Sequence, residues 1–225
     1  MLGNILITGG ASGLGLAVAE AVAKAGGRPL VIDVRAGNGF DQAPADVSDR
    51  EQAERAVAEL AERAGGLDGV VTAAGIDACG RLEDVPAADW ERVIRVNLLG
   101  TATVVRAALP YLRRSSGRVV TCASTLGLRA LSDATAYCAS KFGVVGFTRA
   151  LAAELAGQVG VTMLVPGGMS THFFDDRPEQ YKPGPDARLN RAEDVAQTVV
   201  FALSQPPGCE VRELVVCPST ETSWP

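Results

Sequence analysis

Histidine is nearly missing from this 225-residue chain, in which His172 stands alone. Five cysteines are present (Cys79, Cys122, Cys138, Cys209 and Cys217), an odd number, and no two have Cys-x-x-Cys spacing. A Cys/His zinc centre is therefore not expected, and no metal site is predicted. The thiols read as free cysteines in a reducing compartment. Excess positive charge is also lacking: the net charge is -5 and the pI about 5.0. Nucleic acid, which normally requires a basic face, is not an expected partner. No apolar run reads as long enough to span a bilayer, so no membrane partner is expected either. The N-terminal MLGNILITGG has no basic stretch before its apolar run and does not read as a signal peptide. A soluble, cytoplasmic protein is the expectation. Linkers, repeats and low-complexity tracts are missing too, so the reading is one domain over residues 1–225, large enough to need no disulfide or metal staple.

What the chain does have is short apolar, β-branched runs alternating with longer Ala-rich stretches. The runs are 4–8, 29–34, 69–73, 118–122, 161–165 and 213–217. Their continuous apolarity predicts strands buried on both faces, as in parallel sheets. Helices are predicted over 13–25, 49–64, 88–113, 135–156 and 191–204. Strand–helix alternation of this kind predicts a doubly wound α/β sheet. Residues 35–45 give no convincing helix, and 172–188, rich in Pro, Asp and Gly, read as a loop after the sixth strand.

The first strand runs into Thr8-Gly9-Gly10-Ala11-Ser12-Gly13-Leu14-Gly15, which opens the first helix. Glycines let the backbone turn sharply and approach a pyrophosphate, and the helix N-terminus stabilises the anion. The spacing is G-x-x-x-G-x-G rather than G-x-G-x-x-G. Asp33 ends the second strand, eighteen residues after Gly15, where a carboxylate can accept hydrogen bonds from an adenosine ribose. Arg35 lies two residues on and is expected to point to solvent.

Tyr137 and Lys141 are four apart in a predicted helix and share a face. Only three lysines occur against eighteen arginines, so a lysine here is not a routine cation. Carbonyl reduction requires a hydride from one side and a proton on oxygen from the other. A phenol can give that proton, but its pKa of about 10 makes it a weak base for the reverse reaction. A nearby ammonium favours the phenolate. Ser124 follows the fifth strand, at the end of the sheet that borders a ligand crevice, and can hydrogen-bond a substrate oxygen beside Tyr137. Asn97 is a polar amide inside a predicted helix, unfavourable without partners.

With these residues assembled, the chain resembles the short-chain dehydrogenase/reductase family, in its compact single-domain branch, from Asn4 to about Ser219. The motifs are the TGxxxGxG loop, Asp46-Val47, the Ala73-Ala74-Gly75 turn, Asn97, Ser124, Tyr137-x-x-x-Lys141, and Pro166-Gly167 with Thr171. The resemblance implies a Rossmann-type parallel sheet of about seven strands and a nicotinamide cofactor, NAD(H) preferred on account of Asp33 and NADP(H) possible through Arg35. It implies Tyr137 as general acid/base and Lys141 as the group that lowers its pKa and holds the nicotinamide ribose. Ser124 would orient the reacting oxygen, and Asn97 would support a water relaying protons to Lys141. Asp46 would contact adenine and Thr171 the carboxamide. The implied substrate is a small carbonyl or alcohol, and the implied assembly a homo-oligomer, tetramer or dimer. A dinucleotide sensor on the same fold should have lost Tyr137 or Lys141, and a nucleotide-sugar epimerase would have TGxxGxxG and a longer C-terminal region.

Two departures matter. The family often has Asn-Asn-Ala-Gly where this chain has Thr72-Ala73-Ala74-Gly75, which bears on local stability. The segment after Thr171 is short, suggesting a small lid and an open site. Pocket walls are expected from 74–79, 125–135 and 168–188, where Arg129 and Arg177 could meet a carboxylate but read more readily as solvated loop residues.

Overall fold

The computed structural model describes residues 2–35 and 39–223. Seven parallel strands form one sheet: β1 (Asn4–Thr8), β2 (Arg28–Asp33), β3 (Asp41–Pro44), β4 (Gly69–Thr72), β5 (Arg118–Cys122), β6 (Gly160–Pro166) and, after two short strands, β9 (Glu213–Val216). Their spatial order is β3-β2-β1-β4-β5-β6-β9. β7 (Met169–Ser170) and β8 (Asn190–Arg191) pair separately and bracket the segment expected to be a loop, which contains only short 3-10 turns. The chain winds outward from β1 in one direction and restarts at β4 in the other. The carboxyl ends of β1 and β4 therefore splay around a crevice, the place where such sheets bind ligands.

Alternation of side chains across the sheet explains why each strand is apolar throughout. Leu6, Leu30, Val70 and Val119 face a core shared with α2 (Arg50–Ala64) and α4 (Thr101–Ser115). Ile5, Ile7, Val31, Val71 and Val120 face a second core shared with α1 (Gly13–Lys24) and α6 (Ala192–Leu203). Each such side chain, fully buried, contributes about 1.5–3 kcal/mol. Asp49 caps α2 by accepting from Gln52 N at 3.0 Å. α5 (Thr135–Glu154) completes the layer.

Three expectations need correction or refinement. The described residues of 35–45 carry no helix, but they contain β3, the strand missing from the six apolar runs; it is a polar edge strand, Asp-Gln-Ala-Pro, with no apolar signal. Residues 36–38 of that stretch lie outside the described residues. The helix predicted over 88–113 begins as α3 (Ala87–Ile94) and passes through a π-helical turn at Arg95–Gly100 into α4. Taken together, Ala87–Ser115 is 29 residues and contains an 18-residue window with a mean hydropathy of 1.2, so one helical run does reach membrane-spanning length and apolarity. Its apolar face is spent on the protein core, through Val93, Val96, Val104, Val105 and Leu112, while Arg92, Arg95, Arg113 and Arg114 occupy other faces.

The Thr72 substitution in the Ala-Ala-Gly turn leaves a trace. Among the described residues, Thr72 Oγ1 is buried with no hydrogen-bond partner. The neighbouring strand is tied instead by Thr8 Oγ1, which accepts from Ala74 N at 3.1 Å.

Candidate active site

A cleft of about 1540 Å³ opens at the carboxyl ends of the central strands. One end is the glycine loop. A methyl on Gly15 would stand 2.1 Å from the Gly9 carbonyl oxygen, and Gly9 has φ +72° with Ala74 Cα only 2.8 Å from where its Cβ would be. No side chain is tolerated at either place, so the loop backbone lies bare to the cleft. Ser12 precedes α1 in extended conformation but does not cap it. Its hydroxyl accepts instead from Arg35 Nη2 at 2.7 Å. The first turn of α1 also carries no acidic residue. Its N–H groups and dipole remain suited to a phosphate, which is the fit a dinucleotide requires.

Asp33 is buried at the end of β2, its carboxylate accepting from Ala11 N at 3.0 Å and Arg35 N at 2.9 Å. These two bonds aim the carboxylate along the cleft. Arg35 does not turn away to solvent as expected. Its side chain is 65% exposed, yet its guanidinium bridges Ser12 Oγ and the neighbourhood of Asp33, 3.9 Å from Oδ1. The backbone N–H bond from Arg35 to Asp33 closes a tight turn that brings the side chain back over the glycine loop.

Asp46 and Val47 line the adjoining wall. Asp46 Oδ1 accepts from Ser48 N and Oγ, at 2.9 and 2.7 Å, and Oδ2 faces Arg92 Nη2 at 3.4 Å. Ser48 and Arg92 hold its carboxyl below the usual range against the effect of burial. Ala73, Ala74 and Gly75 pass between this wall and the centre, and Pro166, Gly167 and Thr171 form the far side. Thr171 Cβ would lie 3.6 Å from a methyl on Gly13, so the loop after β6 closes onto the glycine loop.

At the centre stand Ser124, Tyr137 and Lys141. Ser124 ends the β5 turn with Oγ accepting from Leu126 N at 3.1 Å, and it lies close enough to the Tyr137 phenol to favour its ionised form. Lys141 is buried, one turn along α5 from Tyr137, its Nζ 5.6 Å from the phenol ring centre and donating to the Cys122 carbonyl at 2.8 Å. Burial pushes the Tyr137 phenol above its ordinary pKa, with Ser124 pulling the other way. Burial likewise pushes Lys141 down. Desolvation thus dominates the phenol, which qualifies the expectation that its pKa is brought down.

Asn97 is fully buried in the π-helical turn. Its Oδ1 accepts from Ile76 N and its Nδ2 donates to Ile76 O, both at 2.9 Å, with a further bond to Ser140 Oγ at 3.0 Å. Single π-turns inside α-helices recur at functional sites. Here the turn seats the amide so that it clamps the irregular segment after β4 at Ile76. A methyl on Gly75 would be 3.5 Å from Asn97 Oδ1 and 3.8 Å from Lys141 Nζ, which measures how closely the three converge.

Three residues of the site escaped the sequence reading. Arg177 is not a solvated loop residue: its side chain is 18% exposed and paired with Asp77, which is 4% exposed. Glu221, near the C-terminus, accepts from Gly168 N at 2.9 Å and from Ser223 Oγ at 2.7 Å, and Ser223 Oγ also reaches Thr125 Oγ1 at 2.7 Å. The tail after β9 therefore returns to the cleft wall, far from where chain order suggests. A charged residue in the otherwise small and apolar Gly75–Gly80 turn was the one available signal for Asp77.

Fold and cleft together define a dinucleotide-binding oxidoreductase. A family model described as short chain dehydrogenase matches residues 3–182. The chain is 34% identical over 229 residues to 2-(S)-hydroxypropyl-CoM dehydrogenase 3 of Xanthobacter autotrophicus, covering 89% of each protein. It is 32% identical to the 3-oxoacyl-[acyl-carrier-protein] reductase FabG of Thermotoga maritima, over 88% of this chain and 89% of that one. An alcohol dehydrogenase from Thermococcus sibiricus, solved with 5-hydroxy-NADP, superposes with a TM-score of 0.85 at 26% identity, covering 96% of both chains. The chain belongs to the short-chain dehydrogenase family and is an NAD(P)-dependent oxidoreductase acting on a carbonyl or alcohol.

Proposed function

We propose that Tyr137 is the general acid/base of this reaction and that one domain, residues 1–225, carries both cofactor and substrate. The observation that supports it most is the convergence of Ser124, Tyr137 and Lys141 on one cleft wall, with Lys141 Nζ 5.6 Å from the Tyr137 ring centre. When bound, the nicotinamide supplies or accepts the hydride. Tyr137 Oη gives its proton to the substrate oxygen during reduction and takes it back during oxidation. Ser124 Oγ donates to the same oxygen and fixes its position. Lys141, held by the Cys122 carbonyl, places a positive charge behind the phenolate as it forms. Asn97 holds Ile76, and through it the turn at Gly75 that borders Lys141. Gly9, Ser12, Gly13, Leu14 and Gly15 cradle the pyrophosphate, and Asp46, Val47, Ala73 and Ala74 enclose the adenosine. Pro166, Gly167 and Thr171 close the nicotinamide end.

The direction of the Tyr137 shift sets a pH dependence. The base form is scarce at neutral pH because burial holds the phenol protonated. Oxidation of an alcohol should therefore accelerate as pH rises from neutral into the alkaline range. Reduction needs the protonated phenol and should stay level until alkaline pH, then fall. Initial rates in both directions, read as absorbance of the reduced nicotinamide, test this. A flat oxidation profile from neutral to alkaline pH would remove Tyr137 as the base.

We further propose a cytoplasmic homotetramer. The cysteines are free thiols, as suits a reducing compartment. Large apolar residues are exposed on several elements, among them Leu99 and Phe142 on the helical layer, Phe201 on α6 and Val215 on β9. Exposed apolar side chains on more than one element suit more than one twofold contact, as a tetramer requires. Light scattering should read four times the mass of one chain; a monomer at micromolar concentration would defeat the assignment.

A further inference from the structure

β6 ends at Pro166 and is followed by two glycines, Gly167 and Gly168, before β7 begins at Met169. Consecutive glycines carry no side chain to hold a turn and have the most backbone freedom to lose. The order of this turn therefore has to come from bonds made to its backbone. Gly167 N donates to the Val216 carbonyl at 2.9 Å, and the Gly168 carbonyl accepts from Asn190 N at 3.0 Å. The N–H of Gly168 has a side chain for its partner, Glu221 Oε2 at 2.9 Å, from 53 residues further along the chain. The carboxylate lies against the turn itself: a methyl on Gly167 would stand 2.4 Å from Glu221 Oε2.

The other carboxylate oxygen is held as well. Glu221 Oε1 accepts from Ser223 N at 3.1 Å and from Ser223 Oγ at 2.7 Å. Ser223 Oγ lies 2.7 Å from Thr125 Oγ1, and Thr125 is buried beside Ser124. Arg129 Nη1 donates to the Thr222 carbonyl at 3.2 Å, a second tie between the tail and the segment after β5. Glu221 thus joins two walls of the cleft, the turn after β6 through one oxygen and the turn after β5 through the other. Burial raises the Glu221 carboxyl, but the bonds from Gly168 and Ser223 outweigh it and hold the group below the usual carboxylate range. The bonds are therefore made to a charged acceptor, the stronger kind. Thr171 follows Gly168 by three residues and closes onto the glycine loop, so a shift of Gly168 is passed along the wall of the cleft. Asp33 and Asp46, at the adenosine end, are held by Ala11, Arg35, Ser48 and Arg92 and share no bond with the tail.

We propose that Glu221 is a positioning residue for the nicotinamide end of the cofactor: through Gly168 it holds the turn after β6 in the shape that receives the ring, and it contributes nothing at the adenosine end. This rests on the reading that residues 166–171 close the nicotinamide end.

The test measures the Kd of NADH and of ADP-ribose, which lacks the nicotinamide, by calorimetry on wild type and Glu221→Ala. Loss of a charge-assisted bond to a part-buried N–H is expected to raise the NADH Kd about tenfold, with the ADP-ribose Kd within about threefold of wild type. A merely structural defect would weaken both ligands alike. An NADH loss exceeding the ADP-ribose loss by less than about threefold overturns the proposal. If Glu221→Ala does not fold, Glu221→Leu, which fills the space without an acceptor, is judged by the same criterion. Should wild type prefer the phosphorylated cofactor, NADPH and 2′-phospho-ADP-ribose replace the pair. Wild type binding neither NADH nor NADPH counts instead against the proposed function, whereas wild-type binding without the selective loss defeats only the role of Glu221.

Discussion

Replacing Tyr137 with phenylalanine is expected to lower kcat at least about a hundredfold while the nicotinamide cofactor still binds. The substitution removes one hydroxyl and keeps the ring, so the packing against Phe173 at 5.7 Å survives. Lys141 keeps its hydrogen bond to the Cys122 carbonyl, and the glycine loop is untouched. What disappears is the phenol hydroxyl that, on the proposed reading, delivers a proton to a substrate oxygen beside Ser124. Hydride transfer without that proton would leave a developing alkoxide stabilised by Ser124 alone. Cofactor titration by fluorescence should give a Kd within about threefold of wild type. A variant retaining more than about a tenth of the wild-type kcat would exclude Tyr137 as the principal acid/base.

The second large effect concerns the choice between NAD and NADP. We expect NAD to be favoured, and Asp33→Asn to move the kcat/KM ratio toward NADP by about a hundredfold, equivalent to roughly 2.7 kcal/mol. Asp33 is buried and its carboxylate is aimed by Ala11 N and Arg35 N. On this expectation it would accept from a ribose 2′-hydroxyl and repel a 2′-phosphate of nearly two negative charges. Arg35 works against this, because its guanidinium lies at the Ser12 hydroxyl, where a 2′-phosphate would find it. The arginine is largely exposed and screened by water, whereas the carboxylate is not, so the repulsion prevails in the wild type. Removing the charge at Asp33 leaves Arg35 unopposed, which is why a single substitution has so large an effect. Arg35→Ala should weaken NADP use further and leave NAD use little changed. Wild type favouring NADP, or an unchanged ratio in Asp33→Asn, would assign the selection elsewhere.

The legible part of this protein is the part governed by local rules. Buried parallel strands must be apolar on both faces, so six of the seven sheet strands stood out as continuous apolar runs. β3 did not, because an edge strand pairs through its backbone and Asp-Gln-Ala-Pro has no apolar face to declare. The glycine loop and the Tyr137–Lys141 spacing were readable because a phosphate-hugging backbone and one helix face each impose a fixed pattern over a few residues.

Tertiary structure decided what depends on charges meeting across the chain. Arg35 and Arg177 both read as solvated cations, since arginine is rarely buried unpaired and the sequence names no partner. The fold supplied the partners: Ser12 and Asp33 across the β1–β2 turn for one, and Asp77 for the other. It also brought Glu221 from the C-terminal tail onto Gly168 and set the protonation of Tyr137 by burying it. The sequence by itself determined the sheet, the glycine loop and the shared helix face of Tyr137 and Lys141, because those follow from short-range periodicity and backbone sterics. Only the tertiary structure decided the electrostatic environment of those groups, because an ion pair or a desolvated phenol depends on three-dimensional distance, which chain order does not encode.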